Sequence, residues 1–588
     1  MKPQEIKDRE NGLGALLSAL LFFMAISCVT SVAGATYGLP AERSVPWRGK
    51  VGVKGDIPAR TSIFRTLAPS GGDDAAAIQT AVKACPPGSV VKLKAGTFRI
   101  SRPITMKAGM TLRGSGMGAT ILQGVSGMKG SYLIGFRDGG ASFDLSNAPH
   151  INLAGGFFKG SSTIRTSSPH GWVAGDHVAI DQLNDGSADP PVSSSGTSGS
   201  CTWCGRGRGA RSLGQTVKIV GIPSAKTAIL EIPLYWNFDA KLTPQGTKVI
   251  GVVPDTGLEE LTLDNTLSGN SAQADDGTVL MSAAVNSWLL GVEVVGSYKN
   301  MVRVYGGYRN TIRGCKFHEG IPARPTDGAQ YDTNRAYGVN MSQWLSACLI
   351  ENNEFYHLAM SVILDGPVSG NVIAYNYFHD NFNPVSWQQD AIAHHGGHPM
   401  MNLYEGNYAA GLSISADNIW GTSSHNTLFR NRVFNSTAFT SRTWAIDLYQ
   451  KARYYNLVGN VLGDRHDTIY HLNNTDFSIS NAHAIYKTGY ADGGDSASVG
   501  NDHQVSATLL RHGNWDSVTN GVGWSGTDHR VLPGSLYLSR KPSWWGNLPW
   551  PAIGPDVSPM YPAAPPSGTG TPWGSYKPRL APPVSSIR

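Results

Sequence analysis

The chain is predicted to be an all-β protein, a parallel solenoid with an N-terminal capping helix. Three observations predict this. Five asparagines, Asn353, Asn376, Asn407, Asn431 and Asn460, recur at intervals of 23, 31, 24 and 29 residues in the phrases LIENNEF, VIAYNYF, LYEGNYA, LFRNRVF and LVGNVLG. An irregular period of that size marks stacked coils, in which like amides hydrogen-bond up the stack at a strand spacing of about 4.8 Å. The composition agrees: 70 glycines and 15% charged residues in 588 suit strands and tight corners. Finally, a short helical segment near residue 75 precedes the first strand pattern, where an open solenoid needs its exposed strand edge covered.

The elements follow in order. Residues 1–35 read as a signal peptide, with an apolar run from Leu13 to Val29 and a small-x-small site at Ala33-Gly34-Ala35. An uncleaved anchor is the alternative. No later segment is apolar enough to span a bilayer, so the mature chain is expected to be secreted or periplasmic, without membrane contact. Residues 36–60 are an extended lead-in. Asp73 or Asp74 should cap a helix with an apolar face of Ala77, Ile78, Ala81 and Val82, stopped by Pro86-Pro87-Gly88 and followed by strands at 90–93 and 97–100.

Coils are expected over residues 61–500, interrupted by a surface excursion at 184–212, whose Ser/Gly/Pro-rich composition cannot build a core. Cys201-Thr-Trp-Cys204 within it predicts a local disulfide rather than a zinc site. Arg206, Arg208 and Arg211 face either substrate or solvent. Cys315 falls in a ladder slot of the phrase IRGCKFH, as a small buried filler. Residues 501–555 are Trp-rich and should wrap back along the coils or close their end; the Pro/Gly/Ser-rich tail 556–588 is expected to be disordered.

The stretch DDAAAIQTAVKAC…VVKLKAGTFRI…MTLRGSGMGATIL resembles the opening of the pectate-lyase-like superfamily of right-handed parallel β-helices. GLEELTLDN (257–265) and NSWLLGVEVVGS…YRNTIRGCKFH (286–318) are similar to its coil repeats. The resemblance spans residues 60–480 and implies a single-stranded right-handed parallel β-helix that is carbohydrate-active. It does not select a reaction, because that superfamily is similar across lyases, glycoside hydrolases, epimerases, esterases and phage tailspikes. The ordered polygalacturonase motifs and the aspartate cluster of calcium pectate lyases are missing, and the His-Asp pair of the epimerase type survives only as His379-Asp380.

Aligning the coils on the asparagines gathers Asp365, His394, His395, Asp417 and Asp447 into one lateral patch, with His398 and His425 in the turns beyond it and Glu405 on the next face. A one-residue slip would turn any of these side chains over. Sugar cleavage needs a positioned acid, a second group acting on water or a proton, and aromatic faces for the rings. The candidate catalytic residues are therefore Asp365, His394, His395, His398, Glu405, Asp417 and His425. Trp387, Asp390, Tyr404, Trp420 and Arg430 are candidates for substrate binding. In HHGGHP the Gly-Gly pair would let backbone approach a ligand closely.

A two-His-one-carboxylate metal set would need a turn at Gly396-Gly397, since an extended strand holds His394 and His398 about 13 Å apart. No cofactor is expected, with calcium implied only for a lyase. The expected partner is a polysaccharide; the net charge of +6 suits an anionic one, and no nucleic-acid motif is present. The favoured activity is glycoside hydrolysis by paired carboxylates. The alternatives are β-elimination on a uronate polymer, with a histidine or Tyr404 as base, and glycan binding without turnover.

Overall fold

The computed structural model describes residues 39–128, 131–137, 145, 148–268, 277–320, 336–381, 389–435, 443–464, 470, 472–476, 483–490, 502–526, 530–546 and 549–562. The predicted signal peptide, Trp387 and the tail from residue 563 lie outside them.

Each coil contributes one long strand to a 13-stranded sheet and two short strands to a second sheet of 22 strands. In the central coils the long strands are Gly277–Val285, Asn300–Tyr308, Tyr337–Ser346, Met360–Asp365, Asp390–Gly396, Ser413–Trp420 and Thr443–Leu448, each parallel to the next. The short pairs, such as Leu349–Glu351 with Glu354–Tyr356, stack in two parallel columns. This is a right-handed parallel β-helix. Alternate residues point inward, among them Val302, Val339, Val362, Ile414 and Ile446, and form one continuous apolar core. Phe317, Phe355 and Phe378 stack within it at centroid distances of 4.9 and 5.0 Å, one ring per coil.

The asparagines form the expected ladder at the turn between the short strands. The Nδ2 groups of Asn353, Asn376, Asn407, Asn431 and Asn460 donate to the Oδ1 of the next rung at 2.9, 3.1, 3.0, 3.0 and 2.9 Å, and the last acceptor is Asn514. Each Oδ1 also accepts the backbone N–H of the preceding rung, so the buried amides are satisfied. Fully buried Cys315 occupies the slot before Asn353 and donates its backbone N–H to Asn353 Oδ1. A second ladder runs through Asn371, Asn402 and Asn426 at the preceding corner, with Nδ2 to Oδ1 distances of 3.0 and 3.0 Å. Each of its asparagines stands five residues before a rung of the first ladder.

The capping helix is Ala75–Ala84, with Asp74 at its N-cap. It buries Ala75, Ile78, Ala81 and Val82 over the first coil. Ala75 replaces the expected Ala77, because a helix turning 3.6 residues per turn aligns residues 75, 78 and 82 on one face. The strands Val90–Leu93 and Gly96–Ile100 follow.

Two regions depart from a simple stack. The expectation of coils across 61–500, broken only at 184–212, is corrected by an inserted closed antiparallel barrel. Its strands are His150–Gly155, Thr163–Thr166, His177–Gln182, Leu213–Ser224, Thr227–Leu230 and Gln245–Lys248. Period-2 patterning is common to barrel and coil strands, so pattern alone does not separate them. Arg206 and Arg211 are buried against Asp181, Arg206 in a fork at 2.8 and 2.8 Å and Arg211 at 2.7 Å, and so face neither substrate nor solvent. After the last coil, residues 530–546 and 549–562 return along the first column of short strands, so that 556–562 of the tail expected to be disordered are part of this return. Leu532, Leu536, Tyr537 and Trp545 are buried there as a strap.

Candidate functional site on the outer face of the long-strand sheet

The outward side chains of the long-strand sheet fall into two rows set by register. One row reads Arg303, Asn340, Ile363, Ala393, Ser415, Asp447 and Lys487; the other reads Tyr305, Ser342, Asp365 and, across a bulge, Gly396 and Trp420. The bulge lies between His394 and Gly396 and sets the fate of two adjacent histidines.

His395 stays outward. Its Nδ1 is 2.7 Å from Asp417 Oδ2 on the next coil, with side chains 16% and 9% exposed. A carboxylate has no proton to give, so Nδ1 carries the hydrogen and the ring is held in one tautomer. Asp417 Oδ1 accepts the backbone N–H of Ile419 at 2.9 Å, which fixes the carboxylate in turn.

Asp390 stands at the start of the same strand. Ser413 Oγ donates to its Oδ1, and Ser415 Oγ to its Oδ2 at 2.7 Å. Burial pushes its pKa up to about 7 against these two hydrogen bonds, and the nearby Asp447 and Asp417 carboxylates push the same way. Asp390 is therefore only part-ionised near neutral pH. Asp447 accepts a 2.6 Å hydrogen bond from Tyr490 OH, and Lys487 Nζ lies 3.4 Å from the ring centroids of both Trp444 and Tyr490.

The barrel's 184–212 excursion forms one wall. Cys201 and Cys204 are disulfide-bonded, and between them Trp203, 45% exposed, donates Nε1–H to Asp365 Oδ1 at 3.3 Å. The same indole meets Trp420 edge to face at 5.0 Å. The backbone N–H of Thr197 donates to Asn418 O at 3.0 Å, pinning the wall to the strand. A Cβ on Gly396 would collide with Asp365 and Cys204, and one on Gly397 with Ser193. The Gly-Gly pair thus admits this wall, not a ligand as its sequence suggested. On the sheet, Asn340 Oδ1 and Ser342 Oγ are buried without a hydrogen-bond partner among the described residues, a place where a polar ligand could bond.

Asp365, Asp390, His395, Asp417 and Trp420 therefore share one face. The remaining candidates do not. His394 points into the core, between the hydroxyls of Tyr404 and Tyr455, the latter 2.6 Å from its Nδ1. Burial drops its pKa to about 3, and it and Tyr404 form a sealed polar network remote from substrate. His398 is buried between Thr422 Oγ1 at 2.8 Å and Ser424 Oγ at 2.9 Å, and burial lowers its pKa to about 3. His425 stacks on Tyr454 at 4.9 Å and meets Trp236 at 5.2 Å, again with its pKa lowered to about 3 by burial.

Glu405 and Arg430 lie beneath the C-terminal strap. Glu405 accepts from Tyr375 OH at 2.9 Å and from the Leu536 backbone at 2.8 Å, and burial raises its pKa to about 7. Arg430 forks onto Asp556 at 2.7 and 2.7 Å and donates to Pro533 O at 2.8 Å. Both are fastenings of the strap.

Sequence reasoning missed Trp203, Asn340 and Ser342. Trp203 arrives from another domain, while strand register alone would have placed the other two beside Asp365. For a cation, the described residues offer one tight group of potential ligands, Cys201, Cys204 and Asp365, and its two sulfurs are bonded to each other.

Residues 70–165 match the family model "Rhamnogalacturonase A/epimerase, pectate lyase-like", and residues 258–462 match "Right handed beta helix region". No curated protein matches the chain. Similar solved structures include the tailspike protein gp49 from Pseudomonas phage LKA1 (15% identity, 71% of this chain and 70% of that one, TM-score 0.40). The gp54 tailspike of Acinetobacter baumannii bacteriophage AP22, in complex with A. baumannii capsular saccharide, is 11% identical over 79% of this chain and 71% of that one, with TM-score 0.40. The A-module of the Azotobacter vinelandii mannuronan C-5 epimerase AlgE4 is 12% identical over 73% and 95%, with TM-score 0.32. Coils, ladders and both family matches agree on a right-handed parallel β-helix, whose opening, residues 70–165, is similar to the pectate-lyase-like family model.

Proposed function

We propose that this protein is an exported enzyme that cleaves glycosidic bonds of a polysaccharide lying across the outer face of the long-strand sheet. The observation that carries the reading is the outward His395–Asp417 pair, on the same face as a carboxyl, Asp390, whose pKa is raised to about 7. Asp390 in its protonated form would give its proton to the leaving oxygen. His395, oriented by Asp417, would take a proton from the attacking water through Nε2. Trp203 and Trp420 would stack on sugar rings, and Asn340 and Ser342 would accept and donate to hydroxyls. Hydrolysis is favoured because Asp365, Asp390, Asp417 and Asp447 crowd this face, whereas elimination needs a cation at the uronate carboxylate. The Cys201–Cys204 disulfide supports an oxidising, exported location.

The same His395–Asp417 pair favours a second reading, elimination, in which His395 takes the C5 proton and Arg303 or Lys487 neutralises the carboxylate. A polysaccharide panel assayed for reducing ends and for ultraviolet absorbance of unsaturated uronate decides. Reducing ends alone support hydrolysis, and both signals together overturn it in favour of elimination. Turnover undiminished by His395→Ala would remove the site under either reading.

A further inference from the structure

Where the barrel meets the coils there is a cavity of about 490 Å³, lined by residues from both and by none of the tryptophan wall. That volume falls within the usual range for small-ligand sites, about 300–1,000 Å³, and domain seams are where such sites concentrate. Most of its charges are already paired. Lys54 Nζ lies 2.8 Å from Glu231 and Lys248 Nζ 2.8 Å from Asp176, while Asn286 donates to Asp255 at 2.5 Å.

Arg309 donates to the Gly52 and Gly49 carbonyls at 2.9 and 3.4 Å, which leaves Lys218 and His177 without such side-chain contacts among the described residues. Lys218 has no ion-pair partner among the described residues, although it stands directly across the strand from His177. His177 is only 6% exposed and has no hydrogen-bond partner among the described residues; its ring contacts Tyr308 edge to face at 5.4 Å. Burial, reinforced by Lys218, drops its pKa to about 4, so the imidazole is neutral and can both donate and accept. The remaining exposure of His177 is toward the cavity, where a ligand could meet its ring nitrogens.

We infer that this seam cavity is a second, non-catalytic saccharide site that takes one carboxylated sugar unit, its carboxylate on Lys218 and a ring hydroxyl on His177. One unpaired ammonium suits a monoanion. The Asp176, Glu231 and Asp255 carboxylates would repel a multiply charged phosphate, yet can each accept a sugar hydroxyl. Val249, Val252 and Tyr308 supply apolar surface for a ring face. The barrel would thus hold an anionic polymer at one end while its tryptophan wall borders the groove, raising the effective concentration of the chain at the groove. The inference shares with the groove reading only the class of polymer and does not require turnover.

The test is calorimetric titration of the full chain carrying His395→Ala with digalacturonate, cellobiose and inorganic phosphate. It is repeated after adding Lys218→Gln or His177→Phe, with thermal melts to confirm folding. Digalacturonate should bind, and Lys218→Gln should weaken it about tenfold, the loss of one charge-assisted hydrogen bond. His177→Phe should weaken it by a smaller factor, and cellobiose and phosphate should bind at least about tenfold more weakly. Binding unaffected by Lys218→Gln would overturn the inference, as would equal binding of cellobiose or phosphate, or no binding of digalacturonate. None of those results touches the groove reading, which stands or falls on turnover by the unmodified chain.

Discussion

Two outer faces of the same β-helix carry carboxylates, and they have opposite fates. On the long-strand sheet, Asp365, Asp417 and Asp447 border a face walled by the 184–212 excursion. On the first column of short strands, Glu351 and Glu405 are sealed beneath the C-terminal strap, bonded to Tyr537 OH at 2.8 Å and to the Leu536 backbone at 2.8 Å. The chemistry of the residues is alike; what lies over them differs. An outward carboxylate is a candidate site only where no other segment seals it from solvent.

The comparison can be broken by mutating each face in turn. On the open face, His395→Ala or Asp417→Asn should lower kcat/KM by about 10²–10⁴-fold, the usual range for a general acid–base group, with thermal stability nearly unchanged. An unfolded His395→Ala protein would contradict the assignment. On the sealed face, Glu405→Ala or Arg430→Ala should cost on the order of 3 kcal/mol of stability in denaturant titration, since each leaves buried partners unpaired, while kcat of the folded fraction is retained. A large loss of kcat there without loss of stability would return Glu405 to the catalytic set.

The interior histidines sharpen the contrast through pH. The folded pKa values of His394, His398 and His425 lie near 3, below the unfolded value of about 6.5. The unfolded chain therefore binds protons that the folded one refuses. Their stabilising contribution is complete above about pH 6.5 and is lost as pH falls toward 3, by up to about 1.4 kcal/mol per pH unit for each group. Asp390 and Glu405 act in the opposite sense. Their folded values near 7 lie above the unfolded carboxyl values of about 4, so their contribution is complete below about pH 4 and is lost as pH rises through 7. His398→Asn should flatten the acid-side slope in denaturant titrations between pH 6.5 and 4.5, whereas an unchanged slope would place a solvated imidazole at 398. The smallest expected effect is that of Trp203→Ala. It should raise KM several-fold with little change in kcat, because a stacking wall contributes about 1 kcal/mol to binding.

The ladder was legible from sequence because a stacked amide must recur once per coil, whatever the loops between do. Cys315 was placed by the same rule, and the second ladder could have been, from the fixed offset of five residues. The face shared by Asp365, His395, Asp417 and Asp447 was also within reach, since the long strands stack in parallel, although Asp365 and Asp447 stand in different rows of it. The bulge beside His395 was not. It is a local break in the ladder of backbone hydrogen bonds, and it decides that His394 enters the core while its neighbour faces out.

Repetition is local and additive, so by itself the sequence of this chain determined the parallel stack, its cap and the strands that carry the chemistry. Only the tertiary structure decided which repeated positions are open. Leu536 closes over Glu405 from 131 residues away, and Trp203 reaches Asp365 from 162 residues away. The physical reason is that coverage depends on where a distant segment comes to rest, a property no periodicity encodes.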